Sequence, residues 1–367
     1  MSERIKDVVV TVLFLVIIFG VFIISTIVKD KEVSTAERRK LNQFPNISES
    51  LMSGNLTDDM ENYAMDQFLA RDNMRSIKTF VKLNVLLQKE NNGLFTIEDK
   101  IFKLEYPLNE SSVTGISNKI NNIYDTYLTE NNNVYYTIVP DKNYFLEDKG
   151  EYIKLDYQKI EDLMRQTINS NIEYIDIFDT LALDSYYNTD THWKQESIMN
   201  VADKISTQMN FRDRITTEFE LKEYGEFYGA YYGQLGKNMT PDTINYLTNE
   251  VIDSAVTFNY ETQKEAKVYN TQKADTAMDK YDIYLSGATA LIEIRNEKAT
   301  TDKELIIFRD SFGSSIAPLF TEAYSKIYLV DTRYIAPTLI SNYIEFNNQD
   351  VLFLYSTLII NNSGSLK

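Results

Sequence analysis

The chain has 367 residues, 43% hydrophobic and 13% aromatic, enough for two or three domains or one large α/β domain with insertions. A formal net charge of −17 argues against nucleic-acid binding, which needs clustered Lys and Arg against phosphates. Zero cysteines exclude disulfides, thiolate catalysis, zinc ribbons and iron–sulfur clusters, and fit an exported Gram-positive protein as well as a cytosolic one. Tyrosine (26) outnumbers phenylalanine (19), a polar-aromatic bias that suits sugar binding and that codon usage in an AT-rich genome also produces.

Val8 to Val28 carries no charge. At about 1.5 Å per residue it matches a hydrocarbon layer of about 30 Å. It is longer than a signal peptide's apolar region and no Ala-x-Ala-like site follows, so a retained transmembrane anchor (residues 1–28 with its tail) is expected. Arg4 and Lys6 precede the span, while Lys29, Lys31, Arg38, Arg39 and Lys40 follow it. Long domains translocate largely regardless of such charges, so the flanks leave orientation open.

Residues 29–75 read as a helical stalk broken at Phe44-Pro45, with an amphipathic helix over Leu56–Asp72 and another over Met74–Leu87. From residue 76 the pattern changes. "NVYYTIVP" (133–140), "IEYIDIF" (172–178), "ELIIFR" (304–309), "KIYLV" (326–330) and "VLFLY" (351–355) are short β-branched and aromatic runs, the signal of buried strands. Helical segments near 114–130, 157–170, 194–209, 315–324 and 335–346 separate them. The fold class predicted is α/β, a mostly parallel sheet covered on both faces. Between about 211 and 303 the strand rhythm fades around "FYGAYYGQLG", as in an insertion at the sheet's edge.

In open α/β sheets, sites form beyond the carboxyl ends of the strands. There "DSFGSS" (310–315) places Ser311 on a strand-to-helix turn, where free helix N–H groups share the space of its hydroxyl. A serine nucleophile needs an adjacent base. The one histidine, His192, lies in "NTDTHW" (188–193) with Asp190 two residues before it. In an extended segment such a pair faces one side, so Asp190 can orient the imidazole. Two plainer readings stand beside this: Asp-Ser as a helix N-cap, and His192 as a buried structural histidine.

Ordinary GDSL-type hydrolases place the serine first and Asp-x-x-His last, the reverse of this order. The chain resembles instead the DHHW family, relatives of the alginate acetylation proteins within the SGNH-hydrolase superfamily. The resemblance is carried by "STAERRKLNQFP", "FLARD", "VYYTIVPDKNYFL", "YYNTDTHW", "FYGAYYG", "YDIYLSG", "RDSFGSS" and "DTRY", in that order. Thr191 stands where the namesake motif has histidine, and Arg309 where the "GDS" block has glycine.

The resemblance implies an SGNH-like domain over 76–367 with Ser311 as nucleophile, His192 as base and Asp190 as orienter. Arg333, Tyr334 and Lys142 are candidate oxyanion or substrate contacts, and Tyr231, with Tyr228 and Tyr232, is a candidate sugar-stacking residue. No Zn²⁺ or Ca²⁺ pattern and no nucleotide-binding glycine pattern is present, so no cofactor is expected. The implied activity is extracytoplasmic O-acetylation of a polysaccharide. Acetyl would be delivered across the bilayer by a membrane-bound O-acyltransferase. That places the catalytic domain outside the cell membrane and the short tail inside. A deacetylase with the same triad, and a non-catalytic glycan-binding component of an export complex, are the alternatives.

Overall fold

In a computed structural model of the chain, which describes residues 3–34, 36–146 and 152–367, the N-terminal apolar run folds as one helix, α1 (Glu3–Ile27). Met1 and Ser2 of the tail and Thr35 of the "STAERRKLNQFP" stretch lie outside the described residues. The Arg4–Ser25 segment of α1 has a mean hydropathy of 3.2 and is unburied, and among the described residues it is the helix long and apolar enough to cross a membrane.

Three helices follow: α2 (Ile47–Ser53), α3 (Leu56–Asp66) and α4 (Arg71–Phe80), the last continued by a π-turn over Val81–Val85. Asn46 caps α2 by accepting from Ser48 N, and Gly54 ends it at φ 76°, a left-handed value that glycine adopts without steric cost. The periodicity of Leu56–Asp72 is interrupted at Gln67–Ala70, where Ala70 takes φ 53° before α4 starts.

These elements, with Tyr232–Met239, form one of two units; Gly93–Tyr231 with Thr240–Lys367 forms the other. The first unit buries polar groups. Asp66 accepts from both guanidinium nitrogens of Arg39 and from Asn42 N and Nδ2, and the Arg39 contact holds its carboxyl well below the usual carboxylate range.

The second unit is built on an eight-stranded sheet: β1 (Val134–Val139), β2 (Glu173–Ile175), β3 (Val256–Asn259), β4 (Lys264–Lys267), β5 (Leu291–Arg295), β6 (Glu304–Arg309), β7 (Lys326–Val330) and β8 (Asp350–Ser356). The spatial order is β4-β3-β5-β7-β6-β8-β1-β2. The five strands predicted from apolar runs are the parallel ones. Register sets Ile307 beside Leu329 and Leu352 on one face, and Ile306 beside Tyr328 and Val351 on the other. Helix α5 (Glu110–Tyr127) lays Val113, Ile116, Ile120 and Ile123 on the second face, a helical stripe, and α6 (Tyr157–Thr167) adds Ile160 and Met164. The first face is covered by α7 (Met199–Gln208) and the 312–323 segment. Burying each such side chain contributes about 1.5–3 kcal/mol.

The 211–303 span, where the strand rhythm fades, supplies the three antiparallel edge strands β3, β4 and β5. The outermost, "KEAK", is charged and exposed, as an edge strand that must not pair with another chain tends to be. The expected helices at 315–324 and 335–346 are mainly 3₁₀: 317–323 and 337–342, each with proline in its first turn.

Candidate active site

Strand β6 ends at Arg309, and the chain turns sharply into the short helix Gly313–Ile316. Asp310 fixes this turn: Oδ1 accepts from Phe312 N at 3.0 Å and Oδ2 from Ser356 N, at the end of β8, at 2.8 Å. The helix has no side-chain cap, and Asp310 braces the turn that precedes it. The Ser311 hydroxyl is directed elsewhere, 2.7 Å from His192 Nε2. On the other side of the ring, His192 Nδ1 lies 2.5 Å from Asp190 Oδ1. With the proton on Nδ1 facing the carboxylate, Nε2 is the acceptor of the Ser311 proton, the tautomer a general base requires. Asp190 is fully buried and His192 nearly so, while Ser311 remains partly accessible.

Asp190 sits on a braced loop. Asp242 accepts from Asn188 N and Thr189 N, each at 2.7 Å, and from Thr189 Oγ1 at 2.6 Å. Ala230 N donates to Asp190 Oδ2 at 2.6 Å, and Gly229 N donates to Thr189 Oγ1 at 2.8 Å. A Cβ on Gly229 would overlap Asp190 Cβ and the Thr189 carbonyl, which explains glycine in "FYGAYYG". Gly229→Ala is expected to displace Asp190 and lower kcat/KM on an activated acetyl ester by on the order of 10²-fold. Activity within a factor of two of wild type would show that the brace does not position the carboxylate.

The imidazole is also packed from its faces. Tyr281 stacks on it at 4.0 Å between centroids with the planes 11° apart, and Phe312 lies at 5.1 Å. The Tyr281 hydroxyl and Trp193 Nε1 both donate to Ser315 Oγ, at 2.9 and 2.8 Å. Burial raises the Tyr281 phenol far above its ordinary value, so it stays a neutral donor. Sequence reasoning assigned Tyr281, Asp242 and Gly229 no role; Tyr281 and Gly229 lie within "YDIYLSG" and "FYGAYYG", whereas Asp242 lies in neither.

The other sequence candidates lie as follows. Lys142 is buried, its ammonium donating to the carbonyls of Ile101 (2.6 Å) and Tyr187 (3.0 Å), so it ties loops together and presents no charge to solvent. Burial pulls its pKa down to about 7 against the opposing pull of Asp190 and Asp242. Tyr231 is buried under Lys142, 5.2 Å from its ammonium, and offers no open face to a sugar. Tyr228 is exposed, and Tyr232 belongs to the first unit. Arg333 makes a bidentate pair with Asp331 (Nε to Oδ1 2.9 Å, Nη2 to Oδ2 2.6 Å); burial pulls its pKa down, but the carboxylate outweighs that and holds it above the ordinary value. Tyr334 is exposed beside the Arg333 guanidinium. Arg309 is fully buried, 3.7 Å from Asp331, and burial lowers its pKa.

The low pKa of Lys142 has a stability consequence with a definite sign. Between about pH 7 and its unfolded value near 10.4 the unfolded chain binds the extra proton, so this group makes stability rise with pH. Urea unfolding of the wild type against Lys142→Met should move in favour of the wild type by up to about 1.4 kcal/mol per pH unit above pH 7. A difference that does not change with pH would contradict the buried, depressed ammonium.

No protein-family model matches the chain, and no curated protein does. Solved structures do. A DHHW family protein from Eubacterium siraeum superposes with a TM-score of 0.62 at 20% identity, covering 75% of this chain and 94% of that one. Bacillus cereus PatB1, solved with a sulfonyl adduct, gives 0.58 at 16% identity, covering 73% and 95%. The O-acetyltransferase domain of Pseudomonas putida AlgJ gives 0.45 at 12% identity, covering 73% and 92%. This chain thus has the fold of the DHHW family protein and of PatB1.

Proposed function

We propose that the chain is a membrane-anchored, serine-dependent O-acetyltransferase that modifies a cell-surface or secreted polysaccharide. The observation that carries the reading is the hydrogen-bonded series Asp190–His192–Ser311 at the carboxyl edge of a parallel sheet. The DHHW-type fold and the apolar α1 support it. Ser311 Oγ attacks the acetyl carbonyl while His192 Nε2 takes its proton. The oxyanion develops beside the Ser311 N–H on the strand-to-helix turn. The leaving group departs with the proton from His192, leaving an acetyl ester on Ser311. A sugar hydroxyl then attacks that ester, gives its proton to His192, and Ser311 leaves and recovers it. Acetyl reaches Ser311 from a membrane-bound O-acyltransferase partner, and the domain stands outside the membrane with the tail inside.

A sulfonyl fluoride tests the nucleophile, prompted by the adduct in PatB1. It should modify Ser311 alone, and Asp190→Ala should slow the labelling; modification of any other residue at the same rate would contradict an activated Ser311. In cells, Ser311→Ala should leave polysaccharide export intact and reduce its acetyl esters. A deacetylase would give the opposite sign, more acetyl. Protease added to intact, wall-stripped cells should degrade the domain, and a protected domain would sink the extracellular reading.

A further inference from the structure

The first unit buries polar side chains beside Leu41 and Leu235. Its buried positions include Asp66, Thr79 and Asn91, and Thr79 Oγ1 and Asn91 Nδ2 both donate to the Leu235 carbonyl. Its exposed positions include Phe44, Leu51 and Phe68, and at the far end Ile77 is 54%, Phe80 60% and Leu87 77% exposed. Contiguous apolar exposure of this kind marks an interaction surface. On α4 and its π-turn the exposed residues Met74, Ile77, Val81 and Val85 follow one helical stripe.

Two observations identify what covers it. The first is continuity with α1: Tyr63 and Phe68 of the α3 region share an apolar groove with Ile18 and Phe22 of α1. At about 1.5 Å per residue those α1 positions lie about 5–10 Å below Ser25, the depth to which the apolar face of an interfacial helix sinks. The second is charge. Between Arg71 and Lys89 the sequence has five basic residues (Arg71, Arg75, Lys78, Lys82, Lys89) and one acidic, Asp72, within a chain of net charge −17. A second groove, between α3 and α4, combines Met65, Phe68 and Met74 with Lys78 and with Glu61; Arg71 and Arg75 also line it but are paired with Glu37, so the lysines at 78, 82 and 89 form the basic rim. Apolar side chains beside a basic rim match acyl chains below anionic headgroups.

We infer that α4 with the following π-turn lies in the membrane interface beside α1, the stripe Met74–Ile77–Val81–Val85 in the acyl region and the lysines at the headgroups. The inference rests on α1 spanning the membrane. It makes the segment after the anchor a lipid-bound platform instead of a solvated stalk.

The absence of cysteine makes the test clean. Single variants I77C, F80C, F14C and E261C of the full chain carry a nitroxide, and the protein is reconstituted in vesicles of phosphatidylcholine and phosphatidylglycerol. Collision with oxygen, which concentrates in the acyl region, is compared with collision with a water-soluble nickel chelate. Labels at 77 and 80 should favour oxygen, as the label at 14 in α1 does, while the label at the exposed Glu261 site favours nickel. If 14 favours oxygen but 77 and 80 favour nickel, the platform is wrong and the anchor stands. If 14 also favours nickel, the anchor fails and takes the platform with it. Labels at 77 and 80 shielded from both reagents would overturn the lipid assignment in favour of a protein partner or a second copy.

Discussion

Replacing Ser311 by alanine, in a form lacking residues 1–28, is expected to lower kcat/KM on an activated acetyl ester by on the order of 10⁴-fold or more. The hydroxyl lies 2.7 Å from His192 Nε2, and neither Asp310 bond that shapes the turn involves it. The fold should therefore survive, and circular dichroism with urea unfolding would check that it does. Adding His192→Ala to Ser311→Ala should change little further, since base and nucleophile act as one unit. Activity within tenfold of wild type, or losses that multiply fully in the double variant, would contradict a serine mechanism.

Asp190→Asn is the second large effect, also expected to be about 10⁴-fold in kcat. Asp190 Oδ1 lies 2.5 Å from His192 Nδ1 and also accepts from His192 N at 3.1 Å, while Oδ2 accepts from Ala230 N. An amide keeps one acceptor only. If its oxygen stays on the backbone N–H of Ala230, its NH₂ faces Nδ1 and forces the proton to Nε2, where it blocks the base. If it flips, the Ala230 N–H is left unpaired in a buried site, at a cost of about 1–3 kcal/mol. Both routes reduce catalysis, and urea unfolding separates them. A tautomer effect lowers kcat at every pH with the fold intact, whereas a broken brace lowers the unfolding midpoint as well. Near-normal kcat in the asparagine variant would reduce Asp190 to a structural residue.

The central parallel strands were legible because each is buried on both faces and reads as an apolar run; "KIYLV" and "ELIIFR" match β7 and β6 residue for residue. The edge strands were not. "VTFN" and "KEAK" are short, and the second carries three charges, so neither alternation nor an apolar run announces them. The same limit divides the site. Asp190 and His192 are two residues apart, and Ser311 sits on a turn whose chemistry is local, so the three could be named from sequence. Tyr281, Asp242 and Gly229 act through contacts with a loop about 40–90 positions away in the chain, which no local pattern encodes. The place of Lys142 was hidden for a related reason. A lysine at a strand end suggests a ligand contact, but Lys142 is used to satisfy the carbonyls of Ile101 and Tyr187, and only tertiary structure shows where a long side chain ends.

The most direct measurement follows one acetyl group. The protein is loaded with an activated acetyl donor, quenched in acid, and its peptides are mapped by mass spectrometry; in parallel the loaded protein is given an oligosaccharide in water and the products are separated. One acetyl on the peptide bearing Ser311, none in Ser311→Ala, and transfer to the sugar hydroxyl outrunning release as acetate is the expected result. Acetyl on Ser311 that appears only as free acetate, whatever the oligosaccharide, would make the protein an esterase, and no acetyl on Ser311 at all would contradict covalent catalysis at this site.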